Sequence, residues 1–278
     1  MDWNKTKSIF IVVFLILNVF LYWQYLSAYN DAQRVELLSE KKIESILQDE
    51  KITYKALPEN ISEAPYISAK VKKYSLSELP DPQSISYKLT TEVSIQATLS
   101  RPVSMGTNIT ALKLNDFLNQ YVYEGSQFKL WEINEEQRTA TFFQIVNNHV
   151  LYYNVNGYVK VHWNSKNEIF MYEQAMLEKV DPLKQKKIIA PLQIIDELYS
   201  ENLLKTGSEI VDMKLGYSSL LQITQTQLQL FTPTWEVRVK VDGEHQTFFV
   251  NAVDPKVIEF TDQPLHEEVE LGENDNEI

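Results

Sequence analysis

A single long apolar run lies at the start of the chain. From Ile9 to Leu26 the only strongly polar side chains are Asn18 and Gln24. A helix over these residues, at about 1.5 Å per residue, is about 27 Å long, close to the roughly 30 Å hydrocarbon core of a bilayer. Trp3 precedes the run and Tyr22, Trp23 and Tyr25 lie at its far end, as aromatic residues do at the two membrane interfaces. The pattern therefore predicts a transmembrane helix over 9–26.

The residues around this run predict whether it is cleaved and how it is oriented in the membrane. Lys5 and Lys7 precede it, so the positive-inside rule places residues 1–8 in the cytoplasm and the body of the chain outside the cell. A cleaved signal peptide is the alternative. Cleavage requires small residues one and three places before the cut, and neither Ser27 nor Ala28 has a small residue two places before it. We therefore expect an uncleaved signal anchor in the cell membrane.

Asn18 lies at the middle of the apolar run. A short amide cannot reach the headgroups, and an unpaired amide is costly in hydrocarbon. The span has no glycine and no small-xxx-small pattern for close backbone packing. The hypothesis is that Asn18 hydrogen-bonds a neighbouring helix, and the alternative is an isolated asparagine tolerated in a very apolar span. The residues predicted to share its face and to contact the partner are Ile11, Phe14, Tyr22 and Tyr25.

A second helix is predicted directly after the span, over 27–49. Its apolar positions follow helical spacing. Asn30 and Gln33 resemble a capping box, so the span either breaks near Asn30 or continues outward as a stiff stalk. The apolar positions are Val35, Leu38, Ile43, Ile46 and Leu47.

The remaining chain predicts an α+β fold of two consecutive extracellular units, each with a helix packed on an antiparallel sheet. The first unit covers 50–182 and the second 183–263. Helical spacing marks residues 111–122 in the first unit and 188–204 in the second, and strands with β-branched and aromatic residues follow each helix. The second hairpin sheet resembles PepSY-type domains. Residues 264–278 are acidic with little apolar content, which predicts a disordered tail.

Two short turns support the repeated plan. Asn156-Gly157 and Asp242-Gly243 each lie between strand candidates, and both central residues of a type I′ turn need the positive φ that these pairs tolerate. The strand "WEVRVKV" before the second turn alternates strictly, which predicts one buried and one solvent face. The residues predicted to be buried are Trp235, Val237, Val239 and Val241. The residues predicted to face solvent are Glu236, Arg238 and Lys240.

Composition and spacing argue against several kinds of chemistry. The chain has no cysteine and a net charge of −12, so it offers no thiolate and is a poor partner for nucleic acid. No two glycines are closer than Gly207 and Gly216, which excludes continuous phosphate-binding loops and the nucleophile elbow. No catalytic, cofactor-binding or metal-binding residue is predicted. The four histidines are not spaced as a helical zinc pair, and His162 and His245 are predicted to be surface residues.

The opening "MDWNKTKSIFIVVFLILNVFLYWQY" and the closing "TPTWEVRVKVDG…TFFVNAVDPKVIEF" resemble the YycI family of Firmicutes. The resemblance implies a single-span, non-catalytic regulator of a sensor histidine kinase (WalK, also called YycG) that controls cell-wall metabolism. It also implies a YycH-type partner, two α+β domains shared with that partner, and contact of the transmembrane helix with the kinase. The partners expected are therefore the kinase, the YycH-type protein and the lipid bilayer.

Two other classes of function stay open at the level of sequence. One is an anchored envelope enzyme with an unrecognised carboxylate site, for which a pair of acids in a cleft would be the discriminating observation. The other is an extracellular ligand-binding sensor, and a large apolar pocket between the two units would support it.

Overall fold

The structure is a computed structural model that describes residues 3–55, 57–58, 61–79, 84–219 and 228–260; within helix α1 the side chains of 3–6, 8–9 and 26–40 are outside this description. The chain contains three α-helices and thirteen strands in these ranges. The helices are α1 Trp3–Asp49, α2 Ala111–Tyr121 and α3 Pro191–Ser200. The strands are β1 Thr53–Tyr54, β2 Glu63–Val71, β3 Ile85–Thr91, β4 Ser94–Ser104, β5 Phe128–Asn134, β6 Thr139–Val146, β7 His149–Tyr152, β8 Tyr158–Trp163, β9 Glu168–Ala175, β10 Leu177–Lys187, β11 Glu209–Ser219, β12 Leu228–Val241 and β13 Glu244–Asn251.

Helix α1 is one uninterrupted helix of 47 residues. It passes through Asn30 without a break, so the predicted capping box there is wrong and the predicted stalk is observed. The absence of glycine and proline from this stretch of sequence explains its continuity, because kinks in long helices usually arise at such residues. Near its end Ile43 and Leu47 are buried, as the helical spacing predicted, whereas Val35 and Leu38 lie outside the described side chains.

Six antiparallel strands form a first half-sheet, with β5, β6, β8, β9, β4 and β3 as successive neighbours. Helix α2 packs on one face of it and buries Leu114, Phe117 and Leu118 in the first core cluster. Thr110 begins this helix, and its hydroxyl accepts a hydrogen bond from the Lys113 backbone N–H at 3.4 Å. The helix predicted at 111–122 is confirmed.

A second half-sheet contains β10, β2, β12 and β11 in that order, with β13 on β12 and β1 on β11. Helix α3 begins with Pro191, whose missing N–H is harmless in the first helical turn. It packs on this half-sheet together with the end of α1, in a core cluster that includes Leu47, Ile195 and Trp235. The predicted α+β class with a largely antiparallel sheet is confirmed.

Strand β7 joins the two half-sheets. It forms a hairpin with β6 and pairs in parallel with β11 over only two residue pairs, Tyr217 with Leu151 and Ser218 with Tyr152. Gly216 makes this close approach possible. A Cβ atom at this position would lie 2.6 Å from the Val150 carbonyl oxygen and would also clash with the Tyr152 ring.

One of the two predicted hairpin turns is wrong and the other is confirmed. Asp242 and Gly243 have φ of 53° and 93° and connect β12 to β13. A two-residue turn with positive φ at both positions occurs instead at Asn147-Asn148, with φ of 48° and 68°, between β6 and β7. Asn156-Gly157 lies in the loop before β8, and neither residue has positive φ. Asparagine tolerates this conformation without a following glycine, which is why the sequence signal was misplaced.

The domain boundaries at 50–182 and 183–263 stay a prediction. The pairing of the strands, however, crosses these boundaries. Strand β2 lies within the predicted first unit, yet it pairs with β12 of the second half-sheet, with Ile67 opposite Phe231. The alternation of side chains along a strand determines which face is buried and does not specify which strand lies beside it. The predicted tail 264–278 lies outside the described residues.

The alternation in β12 gives a stability prediction. Trp235 is fully buried and its indole N–H donates to the Ile189 carbonyl at 3.0 Å. We expect Trp235→Ala to lower the free energy of unfolding by about 3–5 kcal/mol, measured by thermal melting of the detergent-solubilised protein. Leu230→Ala is the control, because Leu230 on the same strand is 59% exposed. Equal melting temperatures for the two variants would contradict the assignment of Trp235 to the core.

The junction between the half-sheets gives a second prediction. Gly216→Ala should cost about 1–3 kcal/mol in unfolding free energy, because the added methyl group must separate β11 from β7. Gly157→Ala is a matched control, since its Cβ would meet its nearest atoms at 3.4 Å and its φ is not positive. Chemical denaturation measures both, and a Gly216→Ala protein as stable as the control would mean that the strands are not in close contact.

Candidate functional site

The residues predicted to contact a partner are all on the exposed apolar part of α1. Every residue from Phe10 to Tyr25 is exposed. Asn18 lies in a shallow groove along one face of the helix, lined also by Phe10, Ile11, Phe14, Leu15 and Val19. Within the described residues no hydrogen bond to the Asn18 amide is present. The exposed fractions of the flanking side chains are 67% for Ile11, 66% for Phe14, 65% for Tyr22 and 67% for Tyr25.

The amino-terminal end of α1 carries the two lysines that predicted the orientation of the chain. Lys7 is exposed, and the side chain of Lys5 lies outside the description. Over the part of the chain that the structure describes, no helix combines the length and the apolar character that a membrane span needs.

The opposite end of α1 is fixed to the body of the protein. Glu50 follows the last residue of the helix, and its carboxylate accepts hydrogen bonds from the Tyr199 hydroxyl at 3.2 Å and the Thr206 hydroxyl at 2.5 Å. Its backbone carbonyl accepts from the Gly207 N–H at 2.9 Å. The hydrogen bond to Glu50 raises the pKa of the Tyr199 phenol, which stays a neutral donor. The helix end is therefore held by polar contacts as well as by Ile43 and Leu47.

A buried carboxylate lies between the half-sheets. Glu236 on β12 was predicted to face solvent, but only 3% of it is exposed, so this prediction is wrong. Its carboxylate accepts a hydrogen bond from the Tyr152 hydroxyl at 2.9 Å and one from Arg238 Nε at 2.5 Å. Burial raises the pKa of the Tyr152 phenol well above its usual range, and the adjacent Glu236 raises it further. Tyr152 is therefore a permanent donor to this carboxylate.

Aromatic side chains from several strands form a cluster that is linked to this carboxylate through Tyr152 and Arg238. The Arg238 guanidinium lies over the Trp131 ring, 5.4 Å from its centroid. Phe260, at the end of the described chain, stacks on Tyr153 with centroids 4.5 Å apart and meets Phe249 edge-on at 4.9 Å. The rings that form the cluster are Trp131, Phe143, Tyr152, Tyr153, Phe249 and Phe260.

Sequence reasoning missed this cluster because alternation along β12 cannot reveal side chains contributed by distant segments. A buried tyrosine or tryptophan usually directs its polar atom at a partner, so the dense aromatic content of the chain was the only available signal. Chemically, both carboxylate oxygens of Glu236 are engaged by donors. The arrangement stabilises a charge and fixes the half-sheets, and it does not present a free base to a cleft.

The histidines do not gather into a site. The His149 ring bonds the Leu215 carbonyl at 2.9 Å across the β7–β11 junction. His162 is half-buried, with Nε2 3.2 Å from Glu173 Oε1, so it is less exposed than predicted, whereas His245 is exposed as predicted. Among the residues with described side chains, no group of three or more histidine, aspartate or glutamate side chains could hold a metal ion.

Solved structures give partial likenesses. An uncharacterized protein from Eubacterium rectale ATCC 33656 has 10% identity and a TM-score of 0.44, covering 76% of this chain and 91% of that one. YycH from Bacillus subtilis has 16% identity and a TM-score of 0.37, covering 69% of this chain and 53% of YycH. The YpeB C-terminal domain from Bacillus megaterium has 12% identity and a TM-score of 0.40, covering 79% and 95%.

The match to a protein family is much stronger. No curated protein matches the chain. The family model described as "YycI protein" matches residues 32–253, from the second half of α1 to just beyond β13. This range includes both half-sheets and every ring of the cluster around Glu236 except Phe260, and it confirms the family that the sequence suggested. The chain therefore belongs to the YycI family.

Proposed function

We propose that this chain is a single-span membrane protein that binds a sensor histidine kinase of the WalK type and modulates it together with a YycH-type partner. Membership of the YycI family supports a regulatory role of the YycH/YycI type in the WalK system, and it points to a membrane-associated, non-catalytic protein. The observation that carries the finer proposal is the exposed apolar part of α1 from Phe10 to Tyr25, with Asn18 near its middle.

The membrane anchor is the first element of the proposal. The exposed side chains from Phe10 to Tyr25 form a continuous apolar surface that water solvates poorly. The described apolar side chains cover only 10–25, and the sequence adds Ile9 and Leu26 to them. The whole run 9–26 would then have the length of a bilayer span. With Lys5 and Lys7 in the cytoplasm, the two half-sheets lie outside the cell.

The partner contact is the second element. The exposed amide of Asn18 is flanked by bulky apolar side chains, so within a bilayer it would hydrogen-bond a polar group on a neighbouring helix. Such a bond contributes about 0.6–2 kcal/mol, which fixes the orientation of a helix pair without holding a complex alone. The kinase span is the partner that we propose, with Ile11, Phe14, Tyr22 and Tyr25 packing around the bond.

The structure offers one argument for a regulator over an anchored enzyme. Glu236 is the most deeply buried carboxylate among the residues with described side chains, and buried acids in clefts are the usual candidates for catalysis. Here Tyr152 and Arg238 occupy both of its oxygens, and it is buried from solvent. A structural role explains this carboxylate completely.

The topology gives a direct prediction. Protease added to intact, wall-stripped cells should digest the body of the chain, because residues beyond about 28 are expected outside. A tag placed before Lys5 should survive until the cells are lysed. Immunoblotting of both ends measures this. A body that resists protease until lysis would reverse the proposed orientation.

The partner contact predicts an effect of one substitution. Asn18→Leu keeps the size of the side chain and improves membrane insertion, so expression should hold. Loss of one intramembrane hydrogen bond should weaken association with the kinase by about 3- to 30-fold and change kinase-dependent transcription. A membrane two-hybrid assay and a transcriptional reporter measure the two effects.

Phe20→Leu is the control for this experiment, because Phe20 lies about 200° around the helix from Asn18 and is equally exposed to the surroundings of α1. It should leave association and transcription unchanged. If Asn18→Leu behaves like this control, Asn18 is an asparagine merely tolerated by the span, and the proposed contact is wrong.

A further inference from the structure

The two ends of α1 have different surroundings, although they belong to one continuous helix. Its 47 residues correspond to a rod about 70 Å long. The exposed apolar face around Asn18 lies near one end, and the buried residues Ile43 and Leu47 lie near the other. The 3–49 sequence has neither glycine nor proline between them, so no residue of the usual kinking kind interrupts the rod.

The far end of the rod cannot turn freely within the body. Ile43 and Leu47 insert into the core cluster formed with Ile195 and Trp235. Beyond them the Glu50 carboxylate is held by Tyr199 and Thr206, and Ile52 is buried in the same cluster. Rotation of α1 about its axis would expose these apolar side chains and break these hydrogen bonds.

The angular relation between the two ends follows from helix geometry. Ile43 and Leu47 are 25 and 29 residues from Asn18. At 3.6 residues per turn these separations are about seven and eight whole turns. The Asn18 face and the face that docks into the body therefore lie on the same side of α1, within about 20° for an ideal straight helix.

We infer that α1 is a rigid rod that holds the Asn18 face in a fixed angular register with the extracellular body. The inference rests on the proposed contact of Asn18 with a kinase span, and it adds a means of regulation. A partner helix that docks on Asn18 lies on the side of α1 where α3 and the second half-sheet are attached. Rotation or tilt of the body is transmitted to the intramembrane contact as rotation or tilt of the same rod.

Insertions that turn one end of α1 relative to the other, while the helix stays continuous, test this inference. Alanine insertions after Asp31 turn the Asn18 face relative to the body by about 100° per residue. Two and five inserted residues give about 200° and 140°, whereas four and seven give about 40° and 20°. In the full-length protein, transcription controlled by the kinase is measured for each variant against wild type and a strain that lacks the protein.

The expected change in transcription depends on the angle by which an insertion turns the Asn18 face, and it does not depend on the number of residues inserted. Insertions of four and seven residues should keep the reporter within about twofold of wild type. Insertions of two and five residues should move it to the level of the strain that lacks the protein. Equal output from all four variants, or a change that grows steadily with length, would overturn the fixed register.

Rigidity is measured separately from any partner. The chain contains no cysteine, so Phe20→Cys and Lys42→Cys accept one spin label each. Both positions are exposed, and 22 residues of helix predict a separation of about 33 Å by pulsed electron paramagnetic resonance in lipid nanodiscs. A narrow distribution at this distance supports the rod. A broad distribution, matching that of a control in which residues 31–33 are replaced by three glycines, overturns it.

The outcomes separate this inference from the proposed function. If Asn18→Leu changes transcription but the insertions show no phase dependence, the kinase contact stands and the fixed register is wrong. If Asn18→Leu has no effect while the label distance is narrow, the rod stands and the proposed contact is wrong, and with it the regulatory use of the register.

Discussion

The anchoring of the α1 end in the second core cluster is the contact on which the arrangement of this protein depends. Burial of Ile43 and Leu47 contributes on the order of 1.5–3 kcal/mol each, and Glu50 adds hydrogen bonds to Tyr199 and Thr206. Without this contact α1 would be a helix tethered to a separate body. With it, one helix extends from the core to the exposed apolar face.

The carboxylate between the half-sheets imposes a second constraint. A buried charge is costly unless donors surround it, and removal of one partner from such a pair typically costs about 3–5 kcal/mol. Arg238 lies on β12 beside Glu236, whereas Tyr152 comes from β7, so Glu236 has both donors only when the strand that joins the half-sheets is in place. The two residue pairs between β7 and β11 are therefore reinforced by side chains that bridge the same junction.

The sequence predicted what local periodicity determines. The extent of α2, the buried face around Trp235 and the turn at Asp242 follow from residues that are neighbours in the chain. A helix was also predicted at 188–204, but α3 is shorter than predicted and covers only Pro191–Ser200. The sequence did not predict the burial of Glu236 or the pairing of β2 with β12, because both depend on segments far away in the chain. Periodicity likewise predicts which side chains share a face with Asn18, whereas the partner proposed for that face belongs to another chain.

The pairing of β2 with β12 has a consequence for how the protein is made. Ile67 lies opposite Phe231, so a strand near the start of the body pairs with one near its end. Contacts this far apart in sequence slow folding, and an unpaired strand edge is prone to association in the meantime. If the body is translocated from its amino terminus, β2 can pair with β10 partway through, but its other edge stays unpaired until β12 follows. We expect export of this protein to be more sensitive to folding helpers outside the membrane than its final stability would suggest.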